Sequence, residues 1–306
     1  MTVPGFQAFL LPVLVVASDG QEHSLSAMRE IIAAQFELSP EERNEMLPSG
    51  KQRRFDNRIA WAKVHLDRAG LLASTRRGYF RVTEAGRALL AERPDRIDLA
   101  LLDRYEGFRE FRGASRRSSD GAALQGADAD VQIVATPEEQ LEQAYESLRA
   151  KLAADLLTRV KESTPQFFES LVVELLLKMG YGRNRSEAGR AIGSSGDEGI
   201  DGIISEDRLG LETIYIQAKR WQGTVGRPEI QKFVGALHGK RARKGVFLTT
   251  GTFSSEAKDY VSHIDPRVVL IDGRELADYM IDLNLGVTAK NVFEIKRIDS
   301  DYFSDE

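Results

Sequence analysis

Hydrophobic positions along the chain change period twice, and each change marks a boundary. In the first ~95 residues they recur at helical spacing. "HSLSAMREIIAAQFEL" is one such stretch, and "FDNRIAWAKVHLDRAGLL" is another, with Phe55, Ile59, Ala62, Leu66 and Ala69 on one face. The apolar run from Phe6 to Ala17, "FQAFLLPVLVVA", is too short to span a bilayer and contains Pro12, so it predicts a buried helix. "LLASTRRGYFRVTEAGRALLAE" then reads as a strand, a tight turn at Arg76-Arg77-Gly78, a strand from Tyr79 to Val82, and a short helix after Thr83.

Helices leading into a hairpin with a basic tip are the plan of a winged helix, which sets a helix in the major groove and a wing on backbone phosphates. Beyond it the period is lost. The stretch from Arg112 to Pro137 is rich in Gly, Ala, Ser and Asp and predicts a linker. Thr136-Pro137-Glu138-Glu139 marks a helix start, with a cap residue, proline at the first position and Glu at the third. Leu141, Tyr145, Leu148, Leu152 and Leu156 form a stripe on that helix, suited to packing on the following domain or on a second copy. From Thr164 the pattern becomes helix, strand pair, helix, strand, helix, strand, helix. That alternation predicts a mixed, largely parallel sheet with helices on both faces.

A length of 306 residues suits two domains and a connection. The absence of cysteine excludes disulfides and cysteine-ligated zinc, and no positive start precedes the first apolar run, so a cytoplasmic protein without a membrane anchor is expected. A net charge of -5 argues against indiscriminate polyanion binding, yet it hides a basic region. Lys51, Arg53, Arg54, Arg58, Lys63, Arg68, Arg76, Arg77, Arg81 and Arg87 stand against only Asp56, Asp67 and Glu84. Arg53, Arg54 and Arg58 on the helix, with Arg76 and Arg77 at the wing, are the candidate DNA contacts. His23, His65, His238 and His263 lack ligand spacing and read as surface or structural residues. Trp61 and Trp221 suit either packing or base stacking.

The stretch "DEGIDGIISEDRLGLETIYIQAKRW" carries the candidate chemistry. Alternation along a strand turns Tyr215, Gln217 and Lys219 to one face, and pairing with "GIDGII" brings Asp201 beside them. A carboxylate, an amide and an ammonium at one point suit phosphodiester hydrolysis, in which a hard cation on oxygen ligands screens the phosphate and lysine orients the water. By spacing alone, solvated strand residues fit as well.

"GDEGIDG" followed by "IYIQAKRW" resembles the catalytic core of the Mrr family of type IV, modification-dependent restriction endonucleases, within the PD-(D/E)xK superfamily. "FFESLVVELLLKMGYG", "GRPEIQKFVGAL" and "GVFLTTGTFSSEAKDY" resemble its other core elements, and the basic amino-terminal region its winged-helix domain. The resemblance implies a restriction-endonuclease-like mixed-sheet α/β/α core plus a mainly helical winged-helix domain. Residues 1–95 would be the reader, 96–162 a linker and connecting helix, 163–295 the nuclease and 296–306 an acidic tail. It makes Asp201 a metal ligand, Lys219 the catalytic lysine and Gln217 the occupant of the usual acidic position, where glutamine is a known variant. Glu169 is the candidate second carboxylate on the first core helix, with Glu174 the next choice, while Asp197 and Gln231 are possible outer groups. The implied activity is Mg2+-dependent cleavage of modified double-stranded DNA, methylated DNA being the expected target; because one site hydrolyses one strand at a time, a homo-oligomer is expected for double-strand breaks. The alternatives are a repair or junction-processing nuclease and a catalytically impaired DNA-binding protein.

Overall fold

Helix starts in this chain are set by short polar side chains. Ser24, Ser39, Thr83, Asp98, Thr164, Ser254 and Asp272 each precede a helix and accept a backbone N–H from its first turn. These bonds satisfy donors that the helix itself leaves orphaned. The computed structural model describes residues 3–117, 135–182, 199–207 and 209–296. The chain divides into two units, Met1–Ser147 and Leu148–Glu306.

In the first unit the early apolar run folds as a 3-10 turn, Phe6–Phe9, continuing into α1, Leu10–Val16. Then follow β1 (His23–Ser24), α2 (Leu25–Gln35), α3 (Pro40–Asn44), α4 (Arg54–Arg68), β2 (Leu72–Arg76) and β3 (Tyr79–Val82). The strands form an antiparallel sheet in the order β1-β3-β2. Arg77 and Gly78 make the tip between β2 and β3, where Gly78 adopts a φ of 77° that a side chain would disfavour. This is the expected winged-helix plan, built on a core that includes Phe6, Phe9, Met28, Ile59 and Phe80.

After β3 come α5 (Glu84–Ala91), α6 (Leu99–Leu102) and α7 (Glu106–Arg117). Ile97, Leu99, Leu102 and Phe108 are buried in the same core, so the segment from residue 96 packs against the helices before it. Arg112, expected to open the linker, lies within α7 and pairs with Asp103. His65 is structural: it is buried with its ring centroid 4.9 Å from Phe6, 5.6 Å from Phe108 and 6.0 Å from Phe111.

Helix α8, Pro137–Glu162, begins in the first unit and ends in the second. Of its expected stripe only Leu156 packs on the following domain. Leu141, Tyr145, Leu148 and Leu152 are exposed, while Ala153, Leu156 and Val160, three and four apart, enter the core of the second unit. There follow α9 (Pro165–Lys178), β4 (Gly202–Ser205), β5 (Thr213–Lys219), β6 (Thr224–Val225), α10 (Arg227–Gly239), β7 (Lys244–Thr249), β8 (Thr252–Phe253), α11 (Ser255–Val261), β9 (Arg267–Ile271) and α12 (Gly273–Asp282).

The main sheet is ordered β4-β5-β7-β9, antiparallel at β4–β5 and parallel elsewhere. Alternation gives each face its own core. Ile214, Ile216, Val246 and Leu248 pack with Phe168, Val172 and Leu175 of α9 and Leu276 of α12. Tyr215, Phe247 and Val268 pack with Phe233 and Leu237 of α10 and Ala257 of α11. The result is the three-layer α/β/α arrangement expected from the strand–helix alternation. Beside it, β6 and β8 form a separate two-stranded parallel ladder.

Candidate active site

The β4–β5 register pairs Gly202 with Ile216, and continuing it by one residue puts Asp201 opposite Gln217. The Asp201 N–H donates to the Ile216 carbonyl at 2.8 Å, so the backbone fixes this placement. Asp201 Oδ2 accepts from Gln217 Nε2 at 2.6 Å and from the Ala218 N–H at 2.7 Å. Gly199, at a φ of 99°, passes so close that an added Cβ would lie 3.2 Å from Gln217 Oε1. The amide is thus held between the Asp201 carboxylate and the Gly199 backbone.

Burial raises the Asp201 carboxyl above its ordinary value, against the opposing pull of the Ala218 and Gln217 hydrogen bonds and the Lys219 charge. Glu169, on α9, is raised too, first by partial burial and then by the Asp201 charge. The Asp201 carboxylate is thus near enough to Glu169 to oppose its ionisation. Among the described residues no three His, Cys, Asp or Glu side chains converge as a metal-binding group. The oxygen-bearing side chains here, Asp201, Glu169 and the Gln217 amide, are of the kind a hard divalent cation takes, and its charge would ease the ionisation of the raised carboxyls.

Lys219, two residues beyond Gln217 on the same face, forms an ion pair with Glu229 in the first turn of α10. Its ammonium also lies 4.6 Å from the centroid of the exposed Trp221 ring. Glu229 is in turn bridged to Lys232 at 3.0 Å. These cations, Lys219 first, hold its carboxyl below the ordinary range. Sequence reasoning named Gln231 on this helix and missed Glu229. Gln231 is exposed, and two residues along a helix turn it about 200° away from Glu229.

Glu174 is half-buried on α9, but five residues from Glu169 it points about 140° away around the helix. Asp197 lies outside the described residues. Of the candidate DNA contacts, Arg53 is exposed at the start of α4, and Arg76 and Arg77 are exposed at the wing. Arg76 bonds Glu22 at 2.9 Å and stacks on Tyr79, its guanidinium 3.6 Å from the ring centroid.

Arg54 and Arg58 are placed otherwise. Both reach Glu139 at 2.9 Å, and Arg58 also donates to the Val3 and Pro4 carbonyls at 2.5 and 2.9 Å. Arg58 and Glu139 are buried, and Arg54 is further bonded to Glu45 at 2.8 Å. Arg58 is therefore unavailable to a phosphate, and Arg54 is already engaged. Trp61 packs in the same place, its indole N–H donating to Glu138 at 2.5 Å.

The Mrr N-terminal domain family matches residues 6–92, and a restriction endonuclease family, Mrr_cat, matches residues 160–280. Over 307 aligned residues, 99% of this chain and 100% of the relative, the chain is 36% identical to the type IV methyl-directed restriction enzyme EcoKMrr of Escherichia coli (strain K12). Among solved structures, the DNA modification-dependent restriction endonuclease AspBHI aligns with a TM-score of 0.36 at 18% identity, over 71% of this chain and 56% of that one. The MspJI restriction endonuclease, in complex with a 27-mer oligonucleotide, aligns at 0.29 and 22% identity, over 68% of this chain and 49% of that one.

Proposed function

The chain belongs to the Mrr family of restriction endonucleases, and on that premise we propose that Asp201, Gln217, Lys219 and Glu169 form its DNA-cleaving site. The substrate is methylated double-stranded DNA, Mg2+ is the cation, and the enzyme works in the cytoplasm. The first unit, to which residues 96–147 also belong, reads the DNA, and the second unit, which begins within α8, cuts it. The observation that carries this reading is the shared face of Asp201, Gln217 and Lys219, with two raised carboxyls in a site rich in oxygen donors.

Asp201, Glu169 and the Gln217 amide oxygen would hold the cation, which supplies charge neutralisation at the phosphate and a more acidic bound water. The chain's own part is positional. The Ala218 N–H and the Gln217 amide hold Asp201 Oδ2, which fixes the orientation of the carboxylate. Lys219 orients the attacking water and faces the charge that grows on the phosphate oxygens. A neutral residue at 217 follows from the electrostatics. A third carboxylate would add repulsion to two that are already hard to ionise, whereas the amide donates a hydrogen bond to Asp201. One such site hydrolyses one strand, so a double-strand break calls for two copies of the chain.

The test is plasmid cleavage with and without Mg2+, on methylated and unmethylated DNA. Wild-type protein should cut methylated DNA only with the cation, and Asp201→Ala and Lys219→Ala should lose cutting while still binding DNA. Equal cutting of both DNAs would point to a repair or junction-processing nuclease. Binding without any cutting would point to an impaired enzyme.

A further inference from the structure

Lys219 is met by Glu229, and the fold goes to some length to bring the two together. The strand β5 ends at Lys219, and α10 begins only eight residues later, on the side of the sheet that Lys219 faces. The return is pinned by the β6–β8 ladder, by the Thr252 and Ser254 N–H groups donating to the Gly223 and Val225 carbonyls, and by the contact of Gly251 with Gly223. A Cβ at Gly251 would collide with the Gly223 carbonyl oxygen, so only glycine permits this approach. Further bonds tie the end of β5 to the turn after β7: Thr249 Oγ1 donates to the Lys219 carbonyl at 2.9 Å and Thr250 Oγ1 to the Trp221 carbonyl at 2.7 Å.

Stability does not account for this arrangement. The Lys219 and Glu229 side chains are 36% and 21% exposed, and ion pairs this open to water contribute little to folding. Nor does Glu229 cap its helix, because the capping position is held by Gly226 without a side-chain bond. The carboxylate is spent on two ammonium groups, Lys219 and Lys232. A lysine has four rotatable bonds and a mobile head, so its aim within a site has to come from its surroundings.

Resting on the assignment of Lys219 to the cleavage chemistry, we infer that Glu229 is a positioning residue for Lys219. Together with the Trp221 ring it holds the amine beside Asp201 before DNA arrives. Glu229 touches neither phosphate nor cation in this account. Its effect passes through Lys219, and the long lysine chain has one place to be when the scissile phosphate enters.

The test compares full-length wild type, Glu229→Gln and Glu229→Ala by two readouts. The first is acetylation of Lys219 by a water-soluble acetyl ester, followed by mass spectrometry of the peptides, with the exposed Lys258 as internal reference. Loss of the ion pair should speed Lys219 labelling several-fold in Glu229→Ala, less in Glu229→Gln, and leave Lys258 unchanged. The second is cleavage kinetics. The value of kcat should fall about tenfold to a hundredfold, with KM for DNA held within about twofold and an unchanged melting temperature. Unaltered Lys219 labelling in a folded variant overturns the inference, and so does altered labelling with unaltered kcat. If the wild type labels as expected but no protein cuts DNA, the cleavage assignment falls while the Glu229–Lys219 contact stands.

Discussion

At the scale of single residues, the uncharged side chain at 217 makes a claim about stability as well as catalysis. Asp201 and Glu169 are raised above their ordinary values of 3.8 and 4.5. The folded chain thus holds these protons more tightly than the unfolded chain, and their contribution is fullest below those values and lost as pH rises through the raised ones. At pH 7 without divalent cation, Asp201→Asn should therefore melt higher than the wild type. Gln217→Glu should melt lower and gain more from added Mg2+ than the wild type does. Calorimetry of the three proteins with and without Mg2+ decides it, and a Gln217→Glu protein that melts as high as wild type without cation refutes the repulsion argument. The Asp201, Gln217 and Lys219 cluster was legible in the sequence because strand alternation and hairpin register are local rules. Glu229 was not. Its approach depends on strands of two residues each and a glycine contact at Gly251, none of which leaves a periodic trace.

At the scale of elements, α4 shows how charge can be read from a sequence while its burial cannot. Arg53, Arg54 and Arg58 look alike as a basic run, yet Arg54 and Arg58 meet Glu139 from 85 and 81 positions away. Glu139 belongs to the capping box that starts α8: its side chain accepts from the Thr136 N–H at 2.9 Å, and Thr136 Oγ1 donates to Asn57 at 2.5 Å. The cap was visible in sequence as a helix start, but its second use, as the counter-charge for α4, was not. Removing one member of a buried pair strands the other, so Glu139→Ala should destabilise the first unit by about 3–5 kcal/mol. Chemical denaturation followed through Trp61, which bonds Glu138 beside this cluster, measures that loss. A change below about 1 kcal/mol, the worth of a surface pair, would mean that water reaches the cluster freely.

At the scale of the whole molecule, the winged hairpin and the three-layer sheet were foreshadowed by the changes of hydrophobic period. The edge of the first core was not, because α6 is a single turn and α7 is largely polar on its outer side. DNA affinity should reside with the exposed cations. Replacing Arg53, Arg76 and Arg77 by Gln should weaken binding on every sequence and reduce the slope of log K against log salt by about 3, at about 0.9 per phosphate contact. Binding titrations at several salt concentrations test this, and an unchanged slope would place the phosphates elsewhere. Arg58→Ala should instead behave as a folding defect. The clasp between Arg58 and Glu139 also sets an order of events during synthesis. Residues 54–58 leave the ribosome long before residue 139, so the first unit is finished only as the chain of the second begins to emerge. A chain broken off before Thr136 should therefore yield no independent reader to sit on DNA without a blade, only an unfinished domain open to proteolysis.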